Sequence, residues 1–262
     1  MTWRRSATLL LLSGLVLAAI VQIEHTRGAR RRALLAPICR VETRERVVAL
    51  SVDDGPDPGY TQTILETLTA NGVRATFFLT GEHAHSYPAL VVDEIHAAME
   101  IANHTWSHVR LADASLERAR SEIDRTNIAL EEATGARPRL FRAPYGDITT
   151  PELAMVANLG MTSVHWTIAL DHYLGDLALD PTSAAQRVAQ DVQGGDIILA
   201  HDDRDGGIGR EPTMRAVELL LPLLREHGYR IVTVGDLLET GRPVRSVPRP
   251  WFWQSGFACT RS

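Results

Sequence analysis

The chain has 262 residues, 45% of them hydrophobic and 23% charged, a globular balance long enough to bury a sizeable core. All 27 basic residues are Arg, which excludes a Walker A phosphate loop, a kinase-type strand lysine, a Schiff-base lysine and a lysine general base. Two cysteines, Cys39 and Cys259, exclude four-cysteine zinc sites, iron–sulfur clusters and a CxxC redox pair, leaving histidines and carboxylates as the chemical equipment.

Residues 1–40 hold seven Arg against the single acid Glu24, a balance of +6. The rest of the chain holds 20 Arg against 31 acids, or −11, and an acidic body does not favour nucleic acid as a partner. Arg4 and Arg5 precede an uncharged, mostly apolar run from Ala7 to Ile23. Such a run suits a signal anchor or a long signal peptide. Residues 1–40 are therefore expected to form a signal peptide or signal anchor with a basic juxtamembrane segment. The protein is expected outside the cytoplasm, membrane-anchored or secreted into the cell envelope. More Arg follow the run than precede it, against the positive-inside rule, although long domains translocate despite such charges. In an oxidising compartment Cys39, just before the folded body, and Cys259, just after it, are a candidate disulfide clasping the two ends.

From Arg46 onward, strand-like runs alternate with amphipathic segments. The predicted strands are Val47–Val52, Ala75–Leu79, Glu100–Ala102, Arg139–Arg142, Thr162–Trp166, Asp196–Ala200 and Tyr229–Val234. The predicted helices are Thr61–Ala70, Pro88–Met99, Ser115–Ala133, Pro151–Asn158, Thr182–Gln193 and Pro212–His227. Gly135 and three similarly placed glycines follow helix ends, where a left-handed cap is expected. Alternating strands and helices predict parallel βα units in one α/β domain over residues 41–240. Residues 241–262 change character, with Pro243, Pro248 and Pro250 and then Trp251, Phe252 and Trp253, and are read as a Pro/aromatic-rich tail packed over the barrel.

In a parallel α/β barrel the working groups sit at the C-terminal ends of strands. The first strand runs into Asp53-Asp54-Gly55-Pro56. The third runs into His104-Thr105-Trp106-Ser107-His108, where a spacing of four would place two imidazoles on one face of a helical turn. Two histidines and an aspartate make a three-ligand site with open positions, and Asp53 is the nearest candidate base. The fourth strand ends in Phe141-Arg142-Ala143-Pro144-Tyr145-Gly146, and that Arg can hold a carboxylate. The fifth ends at Trp166, with Asp171-His172-Tyr173 beyond it. The sixth ends in Leu199-Ala200-His201, a candidate general acid. Each cluster alone has a plain structural reading as a turn, a salt bridge or a buried hydrogen-bonder. Five together at strand ends point to chemistry.

In this order the motifs resemble those of the polysaccharide deacetylases with a NodB homology domain, carbohydrate esterase family 4. The first motif is Ser51-Val52-Asp53-Asp54-Gly55-Pro56, the second His104 to His108, the third Arg142 to Gly146, and the fifth Leu199-Ala200-His201. The resemblance implies a distorted (β/α)7 barrel, in agreement with the seven strand runs. It implies a metal-dependent N-deacetylase acting on N-acetylglucosamine units of a polysaccharide, with peptidoglycan first and chitin or poly-N-acetylglucosamine next. Asp54, His104 and His108 would bind a divalent metal, usually zinc, with cobalt or nickel as substitutes. Asp53 would be the base, Arg142 its orienting partner, and His201 the acid. The backbone N–H of Tyr145 would hold the oxyanion, and Leu199, Tyr145 and Trp166 would contact substrate. The fourth motif, W-x-x-D-x-x-D-W in the family, departs: Ala169 and His172 stand where its two aspartates belong. Either Asp171 serves from one position early, or His201 lacks its partner and its pKa falls. An amidohydrolase for another amino sugar, such as a deformylase, and a glycan-binding protein without turnover are the competing readings.

Overall fold

The computed structural model describes Gln22 and residues 33–175, 178, 180–203 and 210–245. Ten strands and nine α-helices lie wholly within these residues, besides two single-turn 3-10 helices. They run β1 (Ile38–Glu42), β2 (Val47–Asp53), α1 (Thr61–Ala70), β3 (Thr76–Leu79), α2 (Gly81–Ser86), α3 (Pro88–His96), β4 (Glu100–Asn103), α4 (Leu116–Thr134) and β5 (Leu140–Phe141). Then come α5 (Thr150–Asn158), β6 (Thr162–Ser163), β7 (Ile168–Ala169), α6 (Leu170–Leu174), α7 (Pro181–Asp191) and β8 (Ile197–His201). The chain closes with α8 (Glu211–Glu226), β9 (Arg230–Val232), α9 (Val234–Leu238) and β10 (Arg242–Arg245).

Eight strands form one parallel sheet in the order β6-β5-β4-β3-β2-β8-β7, with β9 also paired to β2. Its centre is β2, whose seven residues are all buried, as a strand covered on both faces requires. Alternation along β2 separates two environments. Val48, Leu50 and Val52 join the core cluster shared with the surrounding helices. Val47 and Ala49 face a second cluster with Phe78, Ala102, Leu140 and Val164, the inside of the barrel. Ser51 and Asp53 continue that inner row, so the barrel interior turns polar toward the strand ends.

The two sheet edges, β6 and β7, are separated by only residues 164–167. A chain this short spans less than about 20 Å, so the sheet must curl until its edges approach. The seam is filled from outside the sheet: Ile38 bridges Val164, and the His165 amide donates to the Ile38 carbonyl at 2.8 Å. This is a distorted (β/α)7 barrel. The predicted strand Thr162–Trp166 is thereby cut to its first two residues: the Thr167 amide already donates to Ile197 of β8, next to the opposite edge.

The helices begin and end where local chemistry directs. Ser115 Oγ accepts from the Arg118 amide at the start of α4, and Gly135 ends it at φ +73°. Thr149 and Glu152 form a capping box on α5, and the Asp180 side chain accepts from the Thr182 and Ser183 amides ahead of α7. Three short helices, α2, α6 and α9, were not predicted, because six residues or fewer carry no readable period.

A second small sheet straddles the predicted domain limits. β1 pairs antiparallel with β10, Glu42 opposite Arg242 and Val41 opposite Pro243. Pro243 reads as a strand breaker, yet an edge strand tolerates it. Residues 242–245, within the expected tail, therefore belong to a sheet with β1. Cys39 is buried in β1; Cys259, Trp251, Phe252 and Trp253 lie outside the described residues. So does the apolar run of residues 7–23 apart from Gln22; among the described residues no helix is long and apolar enough to cross a membrane.

Candidate active site

Asp53 ends β2 and Asp54 follows it, His104 follows β4, Arg142 follows β5 and His201 ends β8, so strand ends on one side of the sheet deliver all five to one mouth. Asp54 Oδ1 lies 3.2 Å from Nε2 of His104 and 3.2 Å from Nε2 of His108. The three ligand atoms all fall within 4.8 Å of one another. His104 donates from Nδ1 to the Arg142 carbonyl at 2.8 Å. In the neutral ring Nε2 then carries no proton and turns its lone pair toward Asp54. Asp54 Oδ1 is therefore a buried oxygen without a hydrogen-bond donor, facing at least one imidazole nitrogen that has nothing to donate. A cation between them satisfies all three groups, and the donor set of one carboxylate and two imidazoles suits a divalent transition metal.

The histidine pair does not sit on a helical turn, contrary to the sequence expectation. Residues 104–108 form an irregular loop, with Thr105 at φ +67° and His108 at φ +51°. Asn103 Oδ1 accepts the Thr105 amide at 2.8 Å, and Glu122 Oε2 accepts the amides of Trp106 at 3.1 Å and Ser107 at 2.8 Å. These side-chain acceptors replace the carbonyls a helix would have offered. Of the six non-glycine residues with positive φ among the described residues, four (Asp54, Thr105, His108 and Tyr145) stand at this site. Such conformations cost about 1–3 kcal/mol each and persist where surrounding contacts over-determine them.

Two carboxylates flank the triad, each held by a cation. Arg142 is fully buried under the mouth. Its Nη1 donates to Asp53 Oδ1 at 2.5 Å and to Ser51 Oγ at 2.9 Å, and Nη2 donates to the His165 carbonyl at 3.1 Å. The Phe78 ring lies 4.0 Å beneath the guanidinium. Burial lowers the Arg142 pKa, and the Asp53 charge opposes that. The free oxygen of Asp53 is then directed at the triad, Oδ2 standing 3.7 Å from His104 Nε2.

On the other side, His201 donates from Nδ1 to Asp171 Oδ2 at 2.6 Å, and Thr213 Oγ donates to Asp171 Oδ1 at 2.6 Å. The one-position-early carboxylate of the fourth motif thus reaches the imidazole, whereas Ala169 has no carboxylate to offer. Burial would lower the His201 pKa, but the charges of Asp171 and Asp54 and the Asp171 hydrogen bond lift it to about 9. Burial would raise the Asp171 carboxyl, but the His201 charge, the His201 and Thr213 hydrogen bonds and the Arg210 charge pull it down. Asp54 likewise is held well below the usual carboxylate range: burial opposes ionisation, and the positive charge of His201 leads the interactions that outweigh it.

A cleft of about 240 Å³ opens over Asp54 and His108, walled by Trp106, Tyr145, Glu82, His83, Ser107 and Asp203, among others. The Tyr145 ring lies 4.7 Å from that of His108, with the Arg110 guanidinium 4.3 Å from its centre. Leu199 is buried on β8 beside Ser51 and Ala169, and Trp166 packs against the inner core with Arg142 5.5 Å from its ring; neither lines this cleft. Sequence reasoning did not single out Ser51, His83, Trp106, Glu122, Thr213 or Asp202. Only Ser51 left a signal, as the polar residue before Asp53 on the inner row of β2. Asp202 is fully buried, takes a 2.5 Å hydrogen bond from Thr61 and is pushed up to about 7, mainly by burial.

The polysaccharide deacetylase family model matches residues 40–164. A peptidoglycan-N-acetylglucosamine deacetylase of Bacillus cereus is 34% identical over 200 residues, covering 76% of this chain and 91% of its own. A chitooligosaccharide deacetylase of Bradyrhizobium is 32% identical over 203 residues, covering 71% of this chain and 88% of its own. Among solved structures, a peptidoglycan N-acetylglucosamine deacetylase superposes with a TM-score of 0.73 at 29% identity, over 79% of this chain and 95% of that one. A family-4 pseudoenzyme from Bacillus anthracis superposes with a TM-score of 0.71 at 26% identity, over 79% of this chain and 70% of that one. By sequence, by barrel and by the order of its strand ends, the chain belongs to the polysaccharide deacetylases of carbohydrate esterase family 4, hydrolases of the acetamido carbon–nitrogen bond.

Proposed function

We propose that the protein is a metal-dependent N-deacetylase that releases acetate from N-acetylglucosamine units of peptidoglycan, with chitin and poly-N-acetylglucosamine as the next substrates. The observation that supports this most is a metal-ligand triad flanked by two oppositely equipped groups: Asp53 on Arg142, and His201 on Asp171. Asp54, His104 and His108 would hold the ion, zinc before cobalt or nickel, which when bound lowers the pKa of water and polarises the amide carbonyl. Asp53, its second oxygen fixed by Arg142, takes the proton of the attacking water. The Tyr145 backbone N–H donates to the oxyanion that forms. His201, carrying its proton, passes it to the sugar nitrogen as the amide bond breaks, and Asp171 steadies the imidazolium until then. The products are acetate and a free amino sugar. The rings of Trp106 and Tyr145, which wall the cleft, would flank the sugar, whereas Leu199 and Trp166, set back from it, would act only through the packing behind the site.

The choice of peptidoglycan rests on the activity of several relatives, peptidoglycan deacetylases themselves, and on a location in the cell envelope. For that location residues 1–40 would act as signal peptide or anchor, residues 41–240 as the catalytic domain, and residues 241–262 as its tail. In that compartment Cys39 would pair with Cys259. A thiol titration of the exported, unreduced protein should find none, and two free thiols would remove the clasp. The deciding assay is metal analysis of the purified protein followed by acetate release from peptidoglycan and chitooligosaccharides. Metal-loaded protein that releases acetate from neither would refute the reading, and formate from a formamido sugar would transfer it to a deformylase.

A further inference from the structure

The loop that carries both histidines is shaped by a residue on a helix behind it. Each backbone amide from His104 to Ser107 has an acceptor that draws it away from a helical path. The His104 amide donates to the Leu79 carbonyl at 2.9 Å, and the Thr105 amide to Asn103 Oδ1 at 2.8 Å. Those of Trp106 and Ser107 converge on one oxygen of Glu122, at 3.1 and 2.8 Å, and the Ser107 hydroxyl donates to the same carboxylate at 3.0 Å. Glu122 sits on the inner side of α4 and is 6% exposed. The nearest cation, Arg118, stands 4.0 Å off and is largely in solvent. Glu122 thus spends its hydrogen bonds on the loop, and two amides with a hydroxyl form a cradle that fits a carboxylate.

The two histidines depend on this cradle unequally. His104 stands before it, pinned by the Leu79 and Arg142 carbonyls. His108 stands after it, in the left-handed conformation that the turn imposes. We propose that Glu122 is a positioning residue of the metal site, holding the 105–107 turn so that His108 faces Asp54. The proposal rests on the reading of Asp54, His104 and His108 as metal ligands. Without Glu122 the turn has no acceptor for two amides and the loop can relax toward an ordinary backbone, withdrawing His108 while Asp54 and His104 stay.

The test compares Glu122→Gln and Glu122→Ala with the unaltered full-length protein. One readout is the zinc dissociation constant by competition with a chromogenic chelator; another is the visible absorption of the cobalt form; a third is the thermal midpoint of the metal-free protein. Removing a residue that orients a metal ligand costs about 10- to 100-fold in affinity, so Glu122→Ala should weaken zinc binding by that factor and change the cobalt spectrum to that of a site with fewer protein ligands. Glu122→Gln keeps one carbonyl oxygen for the two amides and should recover most of the affinity, within about threefold of the unaltered protein. A metal-free midpoint that moves little in Glu122→Gln keeps the comparison valid if Glu122→Ala folds poorly. Unchanged zinc affinity and cobalt spectrum in both variants would overturn the proposal alone. An unaltered protein that binds neither metal would overturn the metal-site reading and this proposal with it.

Discussion

The two sides of the barrel mouth reach the same kind of arrangement by different routes. On the side built from residues 40–164, the stretch the family model matches, every working group stands on a strand end or in the loop just after it. Asp53, Asp54, His104, His108 and Arg142 keep the family spacing residue for residue. On the other side His201 keeps its strand-end place, but its carboxylate partner comes from α6 and stands one residue early. The difference follows from how each group is held. A residue on a strand has its direction set by the pleat, so a one-position shift would turn Asp53 away from Arg142 altogether. A partner acid on a short helix has only to reach one imidazole nitrogen, and Asp171 does so at 2.6 Å. The strand-borne side is rigid in register, and the helix-borne side is rigid only in distance.

That contrast breaks most sharply at Asp53. Asp53→Asn keeps the shape and loses the base, leaving Arg142 with a neutral neighbour. Turnover should fall by about 10²–10⁴-fold with zinc content retained. Acetate release within a few-fold of the unaltered protein would take the base role from Asp53. His201→Ala removes the proton donor from the other side and should cost about 10²–10³-fold, less for substrates with a good leaving group, which need less protonation. An equal loss on activated and unactivated substrates would argue that His201 does not protonate the leaving nitrogen.

The helix-borne partner should matter less for rate and more for pH dependence. Asp171 raises the His201 pKa, toward the value of about 9 reached in the structure. A cation on Asp54 would cancel that residue's share of the lift and leave Asp171 as its source. A general acid works while protonated, so activity should decline as pH rises through the His201 pKa. Asp171→Asn lowers that pKa and should move the alkaline limb of kcat/KM to lower pH, with about a 10-fold loss at neutrality. An unmoved limb would mean that Asp171 does not tune His201.

How much was legible in advance follows the same division. The strand-end groups were visible because burial, alternation and a polar stop coincide within a few residues, as in Val47 to Asp54. The left-handed loop of the histidines was not, since its shape depends on Glu122, which lies 15 positions beyond Ser107 and contacts it only in the folded state. A spacing of four looked helical because periodicity knows nothing of such a contact. The pairing of β1 with β10 was invisible for the same reason: its partners stand about 200 residues apart, and Pro243 locally argues against a strand. The strand predicted over Thr162–Trp166 overran β6 because Ser163 to Trp166 is uniformly strand-like, and β7 went unpredicted because two residues carry no readable alternation. At Asp171 the residues left two options open, and a distance was needed to choose between them.

The smallest expected effect gives the finest test of distance against register. In the family pattern the tuning aspartate would fall at position 172, where this chain has His172. If register decided function, His172→Asp would improve the enzyme. If distance decides, it should do almost nothing, because Asp171 Oδ2 already holds His201 Nδ1 and Thr213 already holds Asp171 Oδ1. Consecutive residues on a helix point about 100° apart, so a carboxylate at 172 leaves the line from Asp171 to His201. The His172 ring already stands edge-on to Tyr173 at 5.7 Å. The added charge, partly screened by solvent, should lift the alkaline limb only slightly, and kcat should stay within about twofold. The double variant Asp171→Asn/His172→Asp sharpens this further. It carries a carboxylate at the family position and none at the position this helix uses, so it should remain as slow as Asp171→Asn alone. Recovery of half or more of the original rate would show that the loop can re-register around either residue, and the contrast between the two sides of the mouth would disappear.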